Sequence, residues 1–202
     1  MEILLLRHGK TQGNLERRYV GSTDEPILDA WRTALSRGQA GDFSPERIFL
    51  SPMRRCRETA EAVFGKRLVE EKGRTVRDLR ETEFGEFEYK NHEELKDHPA
   101  YQAWIDSGGR LAFPGGESGT EFRQRAVRAF RSCLQQAEQA GWDRIAMVTH
   151  GGVIMAVMEA CVGAPGSFYD WQVENGGGFL LEDTGGGLQL KKRIKAGKET
   201  EV

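Results

Sequence analysis

Three stretches of this chain share one pattern, and that pattern limits the fold more than any other feature. Each is a short, continuous apolar run, then a polar tip, then a helix-like stretch. The first is Ile3-Leu4-Leu5-Leu6, followed by Arg7-His8-Gly9-Lys10-Thr11. The second is Arg47-Ile48-Phe49-Leu50, then Ser51-Pro52, then Arg54 to Phe64. The third is Ile145-Ala146-Met147-Val148, then Thr149-His150-Gly151-Gly152, then Val153 to Val162. Strands that are apolar throughout are covered on both faces, which is the habit of parallel sheets with helices on either side. The expected fold is therefore α/β, a three-layer α/β/α sandwich around a mostly parallel sheet. Ligands of such sheets bind beyond the carboxyl ends of the strands, so the three polar tips should gather at one site.

At 202 residues the chain suits a single domain over 1–202. Trp31 to Gln39 reads as a short helix ending near Gly41. Phe122, Ala126, Val127, Phe130, Cys133, Leu134 and Ala137 follow helical spacing. Ser118 and Glu121 form a capping box before that helix, and Gly141 should close it. Phe179-Leu180-Leu181 and Leu188-Gln189-Leu190 read as a hairpin around Asp183-Thr184-Gly185-Gly186. The charged residues from Lys191 onward should fray. Residues 82–117 mix aromatics, charges and Pro-Gly-Gly. They read as an insertion with one short helix, Glu93 to Ile105, placed as a lid over the strand ends and too short for a core of its own.

Net charge is -2, so no general attraction to nucleic acid is expected, and any affinity for an anion must be local. No apolar run approaches the ~20 residues of a membrane helix. The opening Met1-Glu2-Ile3-Leu4-Leu5-Leu6 lacks the basic leader of a signal peptide. Cys56, Cys133 and Cys161 are odd in number and form no C-x-x-C pair, so reduced thiols in a cytoplasmic protein are expected.

The chemistry concentrates at the tips. His8 precedes one glycine and His150 precedes two, and the chain has four histidines in all. Glycine there permits close backbone approach and exposes amide donors. Arg7 beside His8 suits a phosphate, because the guanidinium fork matches tetrahedral oxygens. Arg54, Arg55 and Arg57 fall in the first turn of a helix, where acids are favoured. Two of them should be solvated, and the third makes sense if an anion lies nearby. A leaving alkoxide needs a proton, and Asp78, Glu81, Glu83, Glu86 and Glu88 are all near the insertion; spacing does not choose among them. His92 and His98 lie in a very polar stretch and should be solvated. There is no G-x-x-x-x-G-K-[ST], G-x-S-x-G or H-E-x-x-H motif. The tips offer arginine and threonine rather than clustered carboxylates, which argues for a phosphate pocket without metal.

Leu6-Arg7-His8-Gly9-Lys10-Thr11-x-x-Asn14 resembles the L-R-H-G-[EQ]-T-x-x-N signature of the histidine phosphatase superfamily, also called phosphoglycerate mutase-like. Ser51-Pro52-Met53-Arg54-Arg55-Cys56-Arg57-Glu58-Thr59-Ala60 resembles its second block, Leu79-Arg80-Glu81-x-x-Phe84-Gly85 its proton-donor block, and Val148-Thr149-His150-Gly151-Gly152 its second-histidine block. Four blocks in order are specific. The resemblance implies catalysis by His8, Glu81 and His150, with His8 as nucleophile through a phosphohistidine intermediate. It implies phosphoryl oxygens held by Arg7, Asn14, Arg55, His150 and the Gly151 N–H, and no metal or other cofactor. Lys10, Trp31 and Tyr89 depart from the family pattern at positions usually held by Glu or Gln, Gly and Gly.

The expected activity is hydrolysis of a small phosphorylated metabolite, without nucleic acid or membrane, and with a homo-oligomer left open. The alternatives are a phosphoglycerate mutase and a non-catalytic phosphate-binding module. Mutases of the family carry paired arginines and a lysine between the acid and second-histidine blocks. Here that stretch offers Lys90, Lys96 and Arg110, and Phe84 stands where glycolytic mutases have Tyr. Among phosphatases, Tyr101-x-x-Trp104 and Phe113-Pro114-Gly115-Gly116-Glu117-Ser118 resemble the α-ribazole phosphatase branch, whose aromatics either stack on a heterocycle or pack the lid.

Overall fold

The computed structural model describes residues 1–35, 42–109, 111–162 and 168–196. In chain order its elements are β1 (Glu2–Arg7), α1 (Gln12–Leu15), α2 (Asp29–Leu35), β2 (Arg47–Leu50), α3 (Arg54–Phe64), α4 (Lys66–Lys72) and β3 (Gly73–Thr75). Then come α5 (His92–Leu95), α6 (Pro99–Asp106), α7 (Gly119–Ala140), β4 (Arg144–Thr149), α8 (Gly151–Val157), β5 (Gly178–Asp183) and β6 (Leu188–Ile194). The six strands form one sheet in the order β3-β2-β4-β1-β5-β6. β3, β2, β4 and β1 run parallel, whereas β5 and β6 are antiparallel to their neighbours.

The period of two along each strand sorts side chains to the two faces. Ile3, Leu5, Phe49, Ile145, Met147, Phe179 and Leu181 pack with α7 and α8. Leu4, Leu6, Ile48, Leu50, Ala146 and Val148 pack with Cys56 and Ala60 of α3 and Val69 of α4. Both faces are therefore covered, which is why the central strands carry no polar alternation.

Several expected elements appear as read. α3 spans Arg54–Phe64. α7 starts at a reciprocal Ser118/Glu121 capping box and ends at Gly141 in the left-handed region, φ 67°. The β5–β6 hairpin turns through Thr184–Gly187. Others need correction. The residues after Lys191 do not all fray, because β6 continues to Ile194, pairing Lys192 with Leu180 and Arg193 with Phe179. The Arg193 guanidinium lies 5.5 Å from the Phe179 ring, so a charged strand end covers apolar surface with its stem. α2 runs Asp29–Leu35; Gln39 and Gly41 lie outside the described residues.

The single helix expected over Glu93 to Ile105 is two helices. Pro99 opens α6 and His98 before it is extended, φ -83° and ψ 120°, as a residue preceding proline prefers. This segment also has a small core of its own, with Phe87, Leu95, Tyr101 and Phe113 buried. His98 is not simply solvated, since its ring stands edge-on to Phe87 at 5.5 Å. His92 is exposed, with Nδ1 3.2 Å from the Tyr101 hydroxyl.

Candidate active site

Strand register builds the site. Leu6 pairs with Val148 and Arg7 with Thr149, and the His8 N–H donates to the Thr149 carbonyl at 2.9 Å. The next residues along the two strands are the histidines, whose rings meet at 5.2 Å between centroids, inclined by 64°. His8 and His150 are both buried. His8 Nδ1 lies 2.7 Å from the Gly9 carbonyl oxygen. A carbonyl only accepts, so Nδ1 carries the hydrogen and Nε2 keeps its lone pair. Burial, with Arg55 and Arg7 adding to it, holds the His8 imidazole well below its usual pKa. Burial and Arg55 do the same to His150. In both cases the shift favours the neutral ring. His150 Nε2 is 2.7 Å from Ser51 Oγ, while its buried Nδ1 has no partner among the described residues.

Of the three arginines opening α3, Arg55 turns inward and is fully buried. It donates to the carbonyls of Thr23 at 2.8 Å and Gly21 at 2.9 Å, and its Nε is unpartnered. Arg54 pairs with Glu58 at 2.7 Å and Arg57 lies 3.8 Å from Glu61, both well exposed. Arg7 donates to the Val173 carbonyl at 2.7 Å and also leaves a buried Nε without a partner among the described residues. Burial lowers the Arg7 pKa. Among the described residues, neither buried Arg55 nor half-buried Arg7 has an ion pair with a carboxylate, which is costly for a fixed cation unless an anion supplies the missing charge.

Glu81 is the one acid of the five candidates brought to this place. Its Oε2 accepts from the Gly152 N–H and its Oε1 from the Thr82 N–H, both at 3.0 Å. Burial raises its pKa, outweighing those amides and the nearby Arg7 and Arg55. Asp78 and Glu83 instead pair with Arg80 at 2.9 and 3.1 Å. Glu86 is exposed, and Glu88 caps the Gly21 and Thr23 amides. Gly152 is required for the Glu81 approach, because a Cβ there would sit 2.5 Å from Glu81 Oε1. The Gly151 N–H, the donor expected from the sequence, has no protein acceptor among the described residues. Asn14 belongs to a capping box with Thr11 and is also held by Asn175.

Several supporting residues escaped the sequence reading. Arg125 donates to the carbonyls of Asp78, Arg80 and Glu81 and forms a two-pronged pair with Glu117. It thereby fixes the backbone on either side of the acid. Glu117 reaches it because the Pro-Gly-Gly turn lies on the acid loop: a Cβ on Gly116 would stand 2.3 Å from the Glu83 carbonyl. Thr59 accepts from the Gly9 N–H at 2.8 Å and donates to the Arg55 carbonyl at 2.6 Å, joining the nucleophile loop to α3. The helical i−4 hydroxyl bond is a generic motif, and only its second partner reveals a role.

The departures from the family pattern have clear places. Tyr89 sits at φ 58°, the left-handed conformation that favours the usual glycine. Its hydroxyl donates to Glu25 at 3.1 Å and its ring lies under Arg18. Trp31 is buried beside Ile27 and Leu35. The Lys10 ammonium lies 5.6 Å from the Trp31 ring. Tyr101 is buried, with Trp104 stacked on it at 6.0 Å, so these aromatics pack the insertion. Lys96 pairs with Glu93, Lys90 is exposed, and Arg110 lies outside the described residues.

A metal-independent phosphoserine phosphatase of Arabidopsis thaliana is 29% identical over 165 residues, covering 77% of this chain, which spans 66% of that relative's length. An adenosylcobalamin/alpha-ribazole phosphatase of Escherichia coli is 27% identical over 186 residues, covering 87% of each. The crystal structure of the alpha-ribazole phosphatase from Shigella flexneri superimposes with a TM-score of 0.83, over 99% of this chain and 100% of that one, at 24% identity; it shares the fold. The sequence profile of the histidine phosphatase superfamily (branch 1) matches residues 3–194, a span holding every residue of the two-histidine, two-arginine site, and the chain therefore belongs to that superfamily and is a phosphatase.

Proposed function

We propose that the chain hydrolyses small phosphomonoesters without a metal, through a phosphohistidine on His8. The observation that carries this is the 2.7 Å contact of His8 Nδ1 with the Gly9 carbonyl, which leaves Nε2 as a neutral nucleophile between two arginines. His8 Nε2 attacks phosphorus opposite the leaving oxygen, forming the N–P bond as the ester P–O bond breaks. Arg7, Arg55, Asn14, His150 and the Gly151 N–H hold the non-bridging oxygens, supplying the charge stabilisation on which phosphoryl transfer depends. Glu81, whose pKa burial raises, gives its proton to the leaving alkoxide. Its carboxylate then takes a proton from the water that attacks the phosphohistidine. The N–P bond breaks, phosphate leaves, and His8 is again neutral.

For the substrate we infer α-ribazole phosphate or a similar small metabolite, supported by the likeness to the Escherichia coli relative. Because Tyr101 and Trp104 pack against each other and Phe113, stacking on a heterocycle is not needed to explain them. Insertion 82–117 is the lid in this reading. The test is a rapid quench of a radiolabelled phosphomonoester in excess EDTA. The expected result is an acid-labile label on His8, absent from His8→Ala, with turnover unaffected by chelator. Normal turnover in a folded His8→Ala variant, or a chelator loss restored by divalent metal, would overturn the proposal.

A further inference from the structure

The turn before β5 grips the nucleophile loop at several points. The Gly176 N–H donates to the carbonyls of Arg7 at 3.1 Å and His8 at 3.0 Å, and the Arg7 N–H donates to the Gly177 carbonyl at 2.8 Å. Buried Asn175 adds two side-chain bonds from Nδ2, to the His8 carbonyl at 3.2 Å and to Asn14 Oδ1 at 2.9 Å.

Backbone groups settle which way both amides face. The His8 carbonyl can only accept, so the Asn175 atom beside it is nitrogen. The Thr11 N–H, 3.2 Å from Asn14, can only donate, so the Asn14 atom beside it is oxygen. Asn14 Oδ1 thus receives two hydrogen bonds, and its Nδ2 is the end left without a protein partner among the described residues. The turn that delivers Asn175 is itself locked. Gly176 adopts φ 73°, and a Cβ there would come within 2.8 Å of the Trp31 ring, so only glycine fits.

We propose that Asn175 is a positioning residue for phosphoryl transfer. It holds Asn14 with its amide donor turned to the phosphoryl oxygens and anchors the carbonyl of His8. This rests on the proposed role of Asn14 and His8, and it adds a residue outside the four signature blocks. Its chemistry is donation alone. Aspartate has the same shape but no donor, and its negative oxygens would face Asn14 Oδ1 and the His8 carbonyl.

The test is a double-mutant cycle on an aryl phosphate, with vanadate inhibition and thermal melting measured on every variant. Asn175→Ala should lower kcat/KM about tenfold, the scale of one hydrogen bond to a charged group, and weaken vanadate by a similar factor. In an Asn14→Ala background the same change should cost clearly less, about threefold, since only the anchor on the His8 carbonyl is then left to lose. Asn175→Asp should be worse than Asn175→Ala despite its closer shape. A merely structural Asn175 gives the opposite pattern: losses that multiply with those of Asn14→Ala, a lowered melting temperature, and better activity for Asp than Ala. That pattern, or unchanged kinetics in Asn175→Ala, overturns the inference. If His8 is never phosphorylated in the wild type, it is the proposed mechanism that fails, which the quench experiment detects separately.

Discussion

At the residue scale, the two reacting groups are shifted in opposite directions by the same burial. His8 is held well below the usual imidazole value of 6.5 by burial, Arg55 and Arg7, so as pH falls through 6.5 it remains a neutral nucleophile. Glu81 is raised above the carboxylate value of 4.5 by burial, so it keeps its proton to higher pH than a solvated glutamate. For kcat/KM, which reports the free enzyme, activity should fall on the acid side only where His8 protonates. On the alkaline side it should fall as Glu81 ionises. Glu81→Gln should flatten the alkaline limb, measured against the wild type on the same substrate so that the ester's own ionisation cancels. It should also slow alkyl phosphates by about 10²–10⁴-fold in the first step while sparing nitrophenyl phosphate. An unchanged alkaline limb, with equal losses for both leaving groups, would remove Glu81 from the acid role. His8 and His150 were legible because residue type and position at a strand tip already state the chemistry, whereas only the family resemblance picked Arg55 from the three arginines that open α3. Thr59, Arg125 and Asn175 were not, because each acts through a partner far away in sequence, as Asn175 does on His8 across 167 positions. The Asn-Gly pair at 175–176 does signal a turn, but a turn signal does not say what the turn holds.

At the element scale, local rules account for the long helix and fail in the insertion. The Ser118 hydroxyl accepts from the Glu121 N–H at 3.2 Å, and Glu121 accepts in return from the Ser118 N–H at 3.1 Å. Removing that cap with Ser118→Ala should cost about 1 kcal/mol. Urea denaturation should show a lower midpoint at unchanged slope, with kcat retained in native buffer. A loss below about 0.3 kcal/mol would mean that packing of α7 on the sheet alone sets its start. The limits of α7 could be read because apolar period and end signals agree, whereas α3 starts after Met53 with no side-chain cap. Over residues 82–117 they do not agree. Pro99 splits one expected helix into two, and the burial of Phe87, Tyr101 and Phe113 follows from packing on one another across the insertion and against Tyr19. The β6 end looked too charged for a strand because three consecutive basic residues hide the pairing that β5 offers.

At the scale of the whole molecule, the fold keeps buried Arg55 and half-buried Arg7 at one site without a carboxylate ion pair among the described residues. Arg55 is compensated by backbone carbonyls and Arg7 by one carbonyl, which satisfy donors but do not neutralise charge. Such a site is stabilised by an oxyanion that binds the native state and not the unfolded chain. The gain follows mass action, about 2.7 kcal/mol at a hundred times Kd. For a domain of this size that corresponds to a rise in Tm of roughly 5–11 °C. Inorganic phosphate should therefore raise the melting temperature in a saturable way, and vanadate should do so at lower concentration, because its five-coordinate form resembles the transition state. Arg55→Ala should lose most of the shift, since it removes the buried charge that acts on both histidines. Ser118→Ala should keep the full shift from a lower starting point. The control is sodium chloride at matched ionic strength, because general screening also weakens repulsion between Arg7 and Arg55. Equal stabilisation by chloride and phosphate, or a full phosphate shift in Arg55→Ala, would show that the two arginines are not an oxyanion site.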